Sequence, residues 1–138
     1  MKGTYILLIK LSQNSKIIVG ALGPISFPKG IYFYVGSAMA ITGALTLLNR
    51  VKRHLLNDSR KKVHWHIDYL LKSNNTQISR VYMIPSEEKY ECIIAKEIIK
   101  KSDDYISNFG SSDCSCNSHL FYFNRLNHFE ISDIIGYQ

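Results

Sequence analysis

Hydrophobic residues in the N-terminal third of the chain form the short runs that are typical of β-strands. Residues 4–11, 16–22 and 31–36 are rich in β-branched and aromatic side chains, and turn-forming residues separate them. The polar turn at residues 12–15 predicts that the first two strands pair as a hairpin. The stretch at residues 23–30 carries two prolines and two glycines, so it predicts a loop.

The apolar pattern changes to helical spacing further along the chain. In residues 42–56 apolar side chains recur at intervals of three and four, which favours an amphipathic helix. Residues 63–73 predict a shorter helix, and residues 86–101 predict a longer one with Ser86 as its N-cap. The remaining predicted elements are strands at residues 78–85 and 119–123 and a short helix at residues 127–138.

This order of elements predicts a single α+β domain over residues 1–138, in which helices flank a small, mainly antiparallel or mixed β-sheet. Apolar residues make up 46% of the chain and charged residues 20%, which is ordinary for a globular protein. There is neither a G-x-G-x-x-G motif nor a Walker loop, which argues against a dinucleotide-binding or P-loop protein. Because there is no membrane-length apolar run and no signal peptide, we expect a cytoplasmic protein with no membrane partner.

Basic residues outnumber acidic ones and give a formal net charge of +6 at neutral pH. Many of them lie between Arg50 and Lys62, where Asp58 is the one acidic residue. A concentrated basic segment is the footprint expected of a protein that binds a polyanion. The candidate phosphate contacts in and beside this segment are Lys52, Arg53, Arg60, Lys61, Lys62, His64 and His66.

A second set of residues has side chains suited to phosphodiester chemistry. Tyr34 lies on the third predicted strand, and Tyr5 shares its face of the sheet if the first strand is nearby. Arg50 and His54 are four residues apart and therefore lie on one side of the helix that follows. Glu91, on a later helix, adds a carboxylate. Two phenols, a guanidinium, an imidazole and a carboxylate can then converge in one cleft.

This arrangement resembles the GIY-YIG nuclease superfamily. The resemblance rests on GTY at residues 3–5, YVGSA at residues 34–38, RVKRH at residues 50–54 and Glu91. The chain is similar over nearly its whole length to a prokaryotic branch, the domain of unknown function 123 family, through segments such as FPKGIYFYVGSA, HWHIDYLL and FGSSDCSC. Some members of that branch are joined to DNA glycosylases, which implies a functional link to these enzymes.

The resemblance implies a metal-dependent hydrolysis of phosphodiester bonds. Glu91 would bind one Mg²⁺ or Mn²⁺ ion, and Arg50 would stabilise charge on the phosphoryl oxygens. Tyr5 or Tyr34 would orient or deprotonate the attacking water, and His54 would relay a proton or hold the phosphate. The carboxylates that replace Glu91 if the helix assignment differs are Glu87, Glu88 and Glu97.

The segment HWHIDYLL allows two interpretations. Trp65 and Tyr69 are four residues apart, so they can pack together on the core at the start of a helix. Alternatively, His64 or His66 contacts phosphate or a metal, with Asp68 as the group that orients the imidazole.

The cysteines are too few for a disulfide framework, and we expect reduced thiols. Cys92 lies in an apolar helix and is interpreted as a small buried residue. Cys114, Cys116 and His119 can belong to a tight turn, to a Zn²⁺ site or to the active site itself. A zinc site would need a fourth ligand, for which the candidates are His64, His66 and Asp113.

The leading hypothesis is therefore a metal-dependent DNA endonuclease of DNA repair or processing. One such active site cuts one strand, so cleavage of both strands requires a homodimer or a second turnover. The first alternative is a non-catalytic module that recognises branched or damaged DNA. The second is a scaffold domain with a metal-stabilised turn.

Overall fold

Five antiparallel strands form the central sheet of this computed structural model, which describes residues 1–56, 62–111 and 115–124. The order of strands in this sheet is β5-β1-β4-β7-β6, and β2 and β3 form a separate two-stranded sheet. The strands are β1 (Gly3–Leu11), β2 (Ser15–Ile18), β3 (Pro24–Phe27), β4 (Gly30–Ala38), β5 (Thr76–Pro85), β6 (Asp104–Tyr105) and β7 (Leu120–Phe123). The helices are α1 (Leu47–Leu55), α2 (His66–Leu71) and α3 (Glu91–Lys101).

The central sheet is covered on both faces. Alternate residues of β1 and β4 pack against the buried side chains of α1 and α2 on one face, and the other residues pack against α3. This explains why β1 is an almost continuous apolar run in which Lys10 is the one exposed residue. No helix among the described residues is long and apolar enough to cross a membrane.

The pairing of β1 with β4 positions the tyrosines. Tyr5 lies opposite Gly36 and Leu7 lies opposite Tyr34, so Tyr5 and Tyr34 are on the same face of the sheet. Tyr5 is fully buried, and a Cβ atom added to Gly36 would overlap the ring of Tyr5. Glycine at position 36 therefore makes the space that the phenol ring occupies.

The α+β fold class that the sequence predicts is confirmed, but the predicted hairpin between the first two strands is wrong. The strand β1 pairs with β4 and β5, whereas β2 pairs with β3 in the segment that was expected to be a loop. Burial of Phe27 and partial burial of Ile25 against the core outweigh the local preference of the prolines for a loop. Pro24 is tolerated because it is the first residue of its strand.

Two helices begin later than the spacing of apolar residues predicts. The helix α1 starts at Leu47 instead of residue 42, because Thr46 is the N-cap and its Oγ1 accepts a hydrogen bond from the Asn49 amide at 3.4 Å. The helix α3 starts at Glu91, and Ser86 is not its cap. The Ser86 amide donates to the Lys2 carbonyl at 3.0 Å instead, which holds this residue at the end of the sheet.

Two further differences concern the extent of elements, and one predicted element is untested. The strand predicted at residues 16–22 is divided into β2 and a short 3-10 turn at Gly20–Leu22. The helix predicted at residues 63–73 is shortened to α2. The C-terminal helix predicted at residues 127–138 lies outside the described residues.

We expect Gly36→Ala to destabilise the fold by about 1–3 kcal/mol, because the added methyl group forces the buried Tyr5 ring out of position. Chemical denaturation followed by circular dichroism measures the change. Ser79→Ala, at an exposed position of β5, is the control and should change stability by less than about 0.5 kcal/mol. A Gly36→Ala protein as stable as this control would contradict the packing of Tyr5 over Gly36.

Candidate active site

One open cleft of about 540 Å³ brings together several of the predicted site residues. Its walls come from the end of β4, from α1, from the segment before α2 and from the start of α3. Its lining includes polar and aromatic side chains that the chemistry of phosphate esters uses, namely Tyr34, Arg50, His64, Trp65, His66, Lys89 and Glu91. The carboxylate, the guanidinium and one of the two phenols therefore meet as expected.

Tyr5 and His54 do not line the cleft but lie behind it. The Tyr5 hydroxyl and His54 Nε2 are 2.7 Å apart in a buried hydrogen bond, and the two rings are 5.3 Å apart between centroids. His54 is only 2% exposed, so it is too deeply buried to hold a phosphate group. Of the two roles expected for His54, proton relay through Tyr5 agrees with this geometry.

Burial dominates the electrostatics of both phenols. It raises the pKa of Tyr5 and of Tyr34 well above the ordinary value, and the Glu91 carboxylate raises both further. The nearby Arg50 cation lowers both pKa values but only partly offsets the effect of burial. Both phenols are therefore protonated at neutral pH and can donate hydrogen bonds.

Arg50 is held at the cleft wall by two contacts. Its Nη1 donates to the Ser37 carbonyl at 2.5 Å, and its guanidinium carbon lies 4.1 Å from the centroid of the Trp65 ring. Its Nε atom is buried and makes no hydrogen bond to the described residues. The planar guanidinium is thus oriented in advance by its contacts with the protein.

Arg53, which was expected to contact phosphate, is part of an ion pair instead. Its Nη1 and Nη2 donate to the two carboxylate oxygens of Asp68 at 2.9 and 3.1 Å, and Nη2 also donates to the Lys62 carbonyl at 2.6 Å. Its guanidinium carbon lies 4.6 Å from the centroid of the Trp65 ring. These contacts indicate that Arg53 stabilises the fold around the cleft.

Asp68 fixes the start of α2 through hydrogen bonds to backbone amides. One carboxylate oxygen accepts hydrogen bonds from the His64 and Trp65 amides at 2.8 and 2.9 Å. Burial alone would raise the pKa of Asp68, but the hydrogen bonds from Arg53 and from these amides outweigh it and lower the pKa. Asp68 therefore orients the backbone of this segment, whereas one of the two interpretations of HWHIDYLL gave it the role of orienting an imidazole.

The two histidines beside Trp65 have different environments. His66 Nδ1 accepts a hydrogen bond from the Gly110 amide at 2.8 Å, and burial lowers the pKa of the imidazole. His66 is therefore neutral at neutral pH, with its proton on Nε2. His64 is exposed, and its ring lies edge-on to Trp65 at 4.5 Å between centroids. Trp65 and Tyr69 both pack against the core, as the structural interpretation of this segment predicted.

Glu91 is the glutamate that faces the cleft among the four that the sequence offered. Glu87 is exposed beside Lys2, with 3.6 Å between its carboxylate and the lysine nitrogen. Glu97 pairs with Lys100 further along α3. The Glu91 side chain is 12% exposed, and its Oε2 lies 3.6 Å from Nδ1 of the buried His119.

A group able to hold a metal ion adjoins Glu91. The ligand atoms of Cys92, Cys116 and His119 all lie within 4.8 Å of one another. A metal site was one of the three alternatives for Cys114, Cys116 and His119; Cys116 and His119 belong to this group, and Cys114 lies outside the described residues. The interpretation of Cys92 as a buried apolar residue was wrong, because it is half-buried and its sulfur belongs to this group.

Other basic residues are distributed around the cleft. Lys52 and Lys62 are exposed but do not line it, and Arg60 and Lys61 lie outside the described residues. Lys89 lines the cleft and was missed, since its place depends on the path of the connection between β5 and α3. Trp65 was assigned only to the core although it also forms part of the wall. Its position between histidines is the signal that could have indicated this.

The protein has an α+β fold: a five-stranded antiparallel sheet carries two helices on one face and one helix on the other. Its polar cleft lies at the C-terminal end of β4. Over residues 4–135 the chain matches the family model described as "Domain of unknown function DUF123". The chain belongs to this family. Searches of the curated proteins and of the solved structures find no match.

We expect Asp68→Asn to destabilise the fold by about 3 kcal/mol at pH 7, because it removes one partner of a largely buried ion pair. The lowered pKa of Asp68 means that its carboxylate stabilises the fold above about pH 4 and ceases to do so as the pH falls further. The difference between wild type and Asp68→Asn should therefore shrink at pH 3. Urea denaturation at both pH values measures it.

The control for this experiment is Glu97→Gln, which removes an exposed ion pair and should cost about 0.5 kcal/mol or less. An equal loss of stability in the two variants, or a loss in Asp68→Asn that does not depend on pH, would contradict the role assigned to Asp68.

Proposed function

We propose that the chain is a metal-dependent endonuclease of the GIY-YIG type that hydrolyses phosphodiester bonds of DNA. The observation that carries this proposal is the meeting of Tyr34, Arg50 and Glu91 in one cleft, with the hydrogen-bonded pair of Tyr5 and His54 behind it. These side chains are distant in the sequence, and a purely structural role would not require all of them at one polar opening.

The carboxylate of Glu91 fits a hard divalent cation. Mg²⁺ and Mn²⁺ prefer oxygen ligands and retain several waters when a single carboxylate binds them, and a cleft of about 540 Å³ has room for such an ion. Glu91 is the residue that would hold it. The bound cation would supply positive charge next to the scissile phosphate and would lower the pKa of a water.

Arg50 is placed to bind the phosphoryl oxygens. Its contacts with the Ser37 carbonyl and with Trp65 fix the guanidinium before substrate arrives, so little reorganisation is required. Charge on these oxygens increases during hydrolysis. A fixed guanidinium therefore binds the transition state more tightly than the ground state.

Both phenols are buried, but Tyr34 lines the cleft whereas Tyr5 does not, and hence their roles differ. Tyr34 lies at the cleft wall, where its hydroxyl can orient the attacking water. Tyr5 is buried and does not line the cleft, so it acts through its hydrogen bond to His54, which can hold and orient its hydroxyl proton. The pair of Tyr5 and His54 thus forms a hydrogen-bonded unit behind the cleft that can hold a proton.

DNA is the proposed partner because the chain carries a net charge of +6 and Lys89 lies on the cleft itself. Lys52 and Lys62 are also exposed to solvent. A role in DNA repair or processing, a functional link to DNA glycosylases and a cytoplasmic location follow from the sequence analysis and stay predictions.

We expect Arg50→Ala and Glu91→Gln each to lower single-turnover nicking of supercoiled plasmid by at least about a hundredfold, because both remove contacts to the transition state. DNA binding by Arg50→Ala should stay within about tenfold of wild type. Nicking by wild type should require Mg²⁺ or Mn²⁺ and stop with a chelator.

Two variants serve as matched controls for the nicking assay. Arg80→Ala removes an exposed arginine of β5, and Glu97→Gln removes a glutamate of α3 that pairs with Lys100 outside the cleft. Both should cut at the wild-type rate. Wild-type cutting by Arg50→Ala and Glu91→Gln would show that the site is wrongly assigned. If wild type binds DNA but does not cut it with Mg²⁺ or with Mn²⁺, the result would favour the alternative of a non-catalytic DNA-binding module.

DNA affinity should fall steeply with salt, since each neutralised phosphate contributes a slope of about 0.9 in log affinity against log salt. We expect Lys89→Gln to lower that slope by roughly 0.9, because the lysine lies on the cleft. Fluorescence anisotropy over a salt series measures it. Lys16→Gln, an exposed lysine of β2 that does not line the cleft, is the control. Equal slopes for wild type and Lys89→Gln would exclude Lys89 from the DNA-binding surface.

A further inference from the structure

The first turn of α3 carries two neighbouring side chains with different surroundings. Glu91 lines the cleft, whereas Cys92 lies next to Cys116 and His119 from the segment that leads into β7. The ligand atoms of these last three residues lie within 4.8 Å of one another although they are separated along the chain. The fold thus places two thiols and an imidazole at one point where a helix meets a strand.

We propose that Cys92, Cys116 and His119 bind a structural Zn²⁺ ion. Two thiolates and an imidazole are donors that Zn²⁺ favours over the harder Mg²⁺. Bond lengths of about 2.3 Å to sulfur and 2.0–2.1 Å to nitrogen place tetrahedral ligands roughly 3.5–3.8 Å apart. Ligand atoms within 4.8 Å therefore reach this geometry with small side-chain movements. One tetrahedral position is left for water or another donor.

The surroundings of His119 hold this residue in place, as is expected of a metal ligand. Its side chain is buried, and its backbone is fixed by a hydrogen bond to the Phe109 carbonyl at 2.8 Å and by another from the Val35 amide at 3.0 Å. The backbone position of His119 therefore needs no rearrangement to bind the ion. Cys116 packs partly against the cluster of buried residues beneath α3, which limits its movement as well.

This zinc ion would also position Glu91. Histidines that bind zinc commonly hold a carboxylate at the ring nitrogen that does not bind the metal. The Glu91 carboxylate lies 3.6 Å from Nδ1 of His119, and this is close to the place of such a partner when Nε2 binds the ion. The zinc ion thus fixes the N-terminal turn of α3 against β7 and holds Glu91 at the edge of the cleft.

Metal content tests this site without any assay of cleavage, so its result does not depend on the nuclease proposal. Protein prepared under reducing conditions with Zn²⁺, and freed of excess metal by gel filtration, should contain about one zinc per chain. Cys92→Ser should lower this content at least about tenfold. Ile93→Ser, at the adjacent and exposed position of α3, should keep it.

Cobalt replacement supplies a measurement on the wild-type protein that does not depend on whether a variant folds. Co²⁺ should give the absorption of tetrahedral coordination together with a thiolate-to-metal charge-transfer band, since two ligands are sulfur. Less than about a tenth of a zinc per chain in wild type, together with no thiolate band, would overturn the proposal. Zinc content in folded Cys92→Ser equal to that of wild type would also overturn it.

Discussion

The contact of the Tyr5 ring with Gly36 and His54 is the constraint on which the rest of the cleft depends. The ring occupies space that only a glycine leaves on the neighbouring strand, and this fixes the register of β1 against β4. The hydrogen bond to His54 fixes the rotation of α1 over the sheet. Arg50, one helical turn earlier, then lies beside Tyr34 at the cleft wall.

Arg53 neutralises the acidic residue that lies near the cleft, Asp68. The buried carboxylate of Asp68 needs a cation, and Arg53 supplies it with both of its terminal nitrogens. Asp68 in turn holds the backbone of Trp65, whose ring is close to both guanidinium groups. Because Arg53 neutralises this acid, Asp68 needs no second cation, and Arg50 lies at the cleft wall. The two arginines of one helix therefore have different surroundings: Arg53 pairs with Asp68, whereas Arg50 lines the cleft.

Local sequence patterns predicted the parts of this arrangement that local geometry determines. Helical spacing placed Arg50 and His54 on one side of α1. Tyr5 and Tyr34 were expected to share a face if the first strand lay near the third, and the pairing of β1 with β4 meets that condition. The depth of a side chain depends on packing from several elements, so the sequence could not show that His54 is buried.

Partners that are distant in the chain were beyond local patterns. The ion pair of Arg53 with Asp68 and the proximity of Cys92 to Cys116 both arise where separate elements meet. The pairing of β2 with β3 was missed for a related reason. Burial of Phe27 favours a strand where the prolines predicted a loop.

The central claim is that Glu91 binds a divalent cation in the cleft that Arg50 lines, and the binding of Mn²⁺ tests it most directly. Electron paramagnetic resonance measures the loss of the signal of free Mn²⁺ as protein is added. Zinc-loaded wild type and Glu97→Gln should each bind about one Mn²⁺ per chain, competitively with Mg²⁺, whereas Glu91→Gln should bind far less. Equal Mn²⁺ binding by Glu91→Gln and wild type would contradict this assignment.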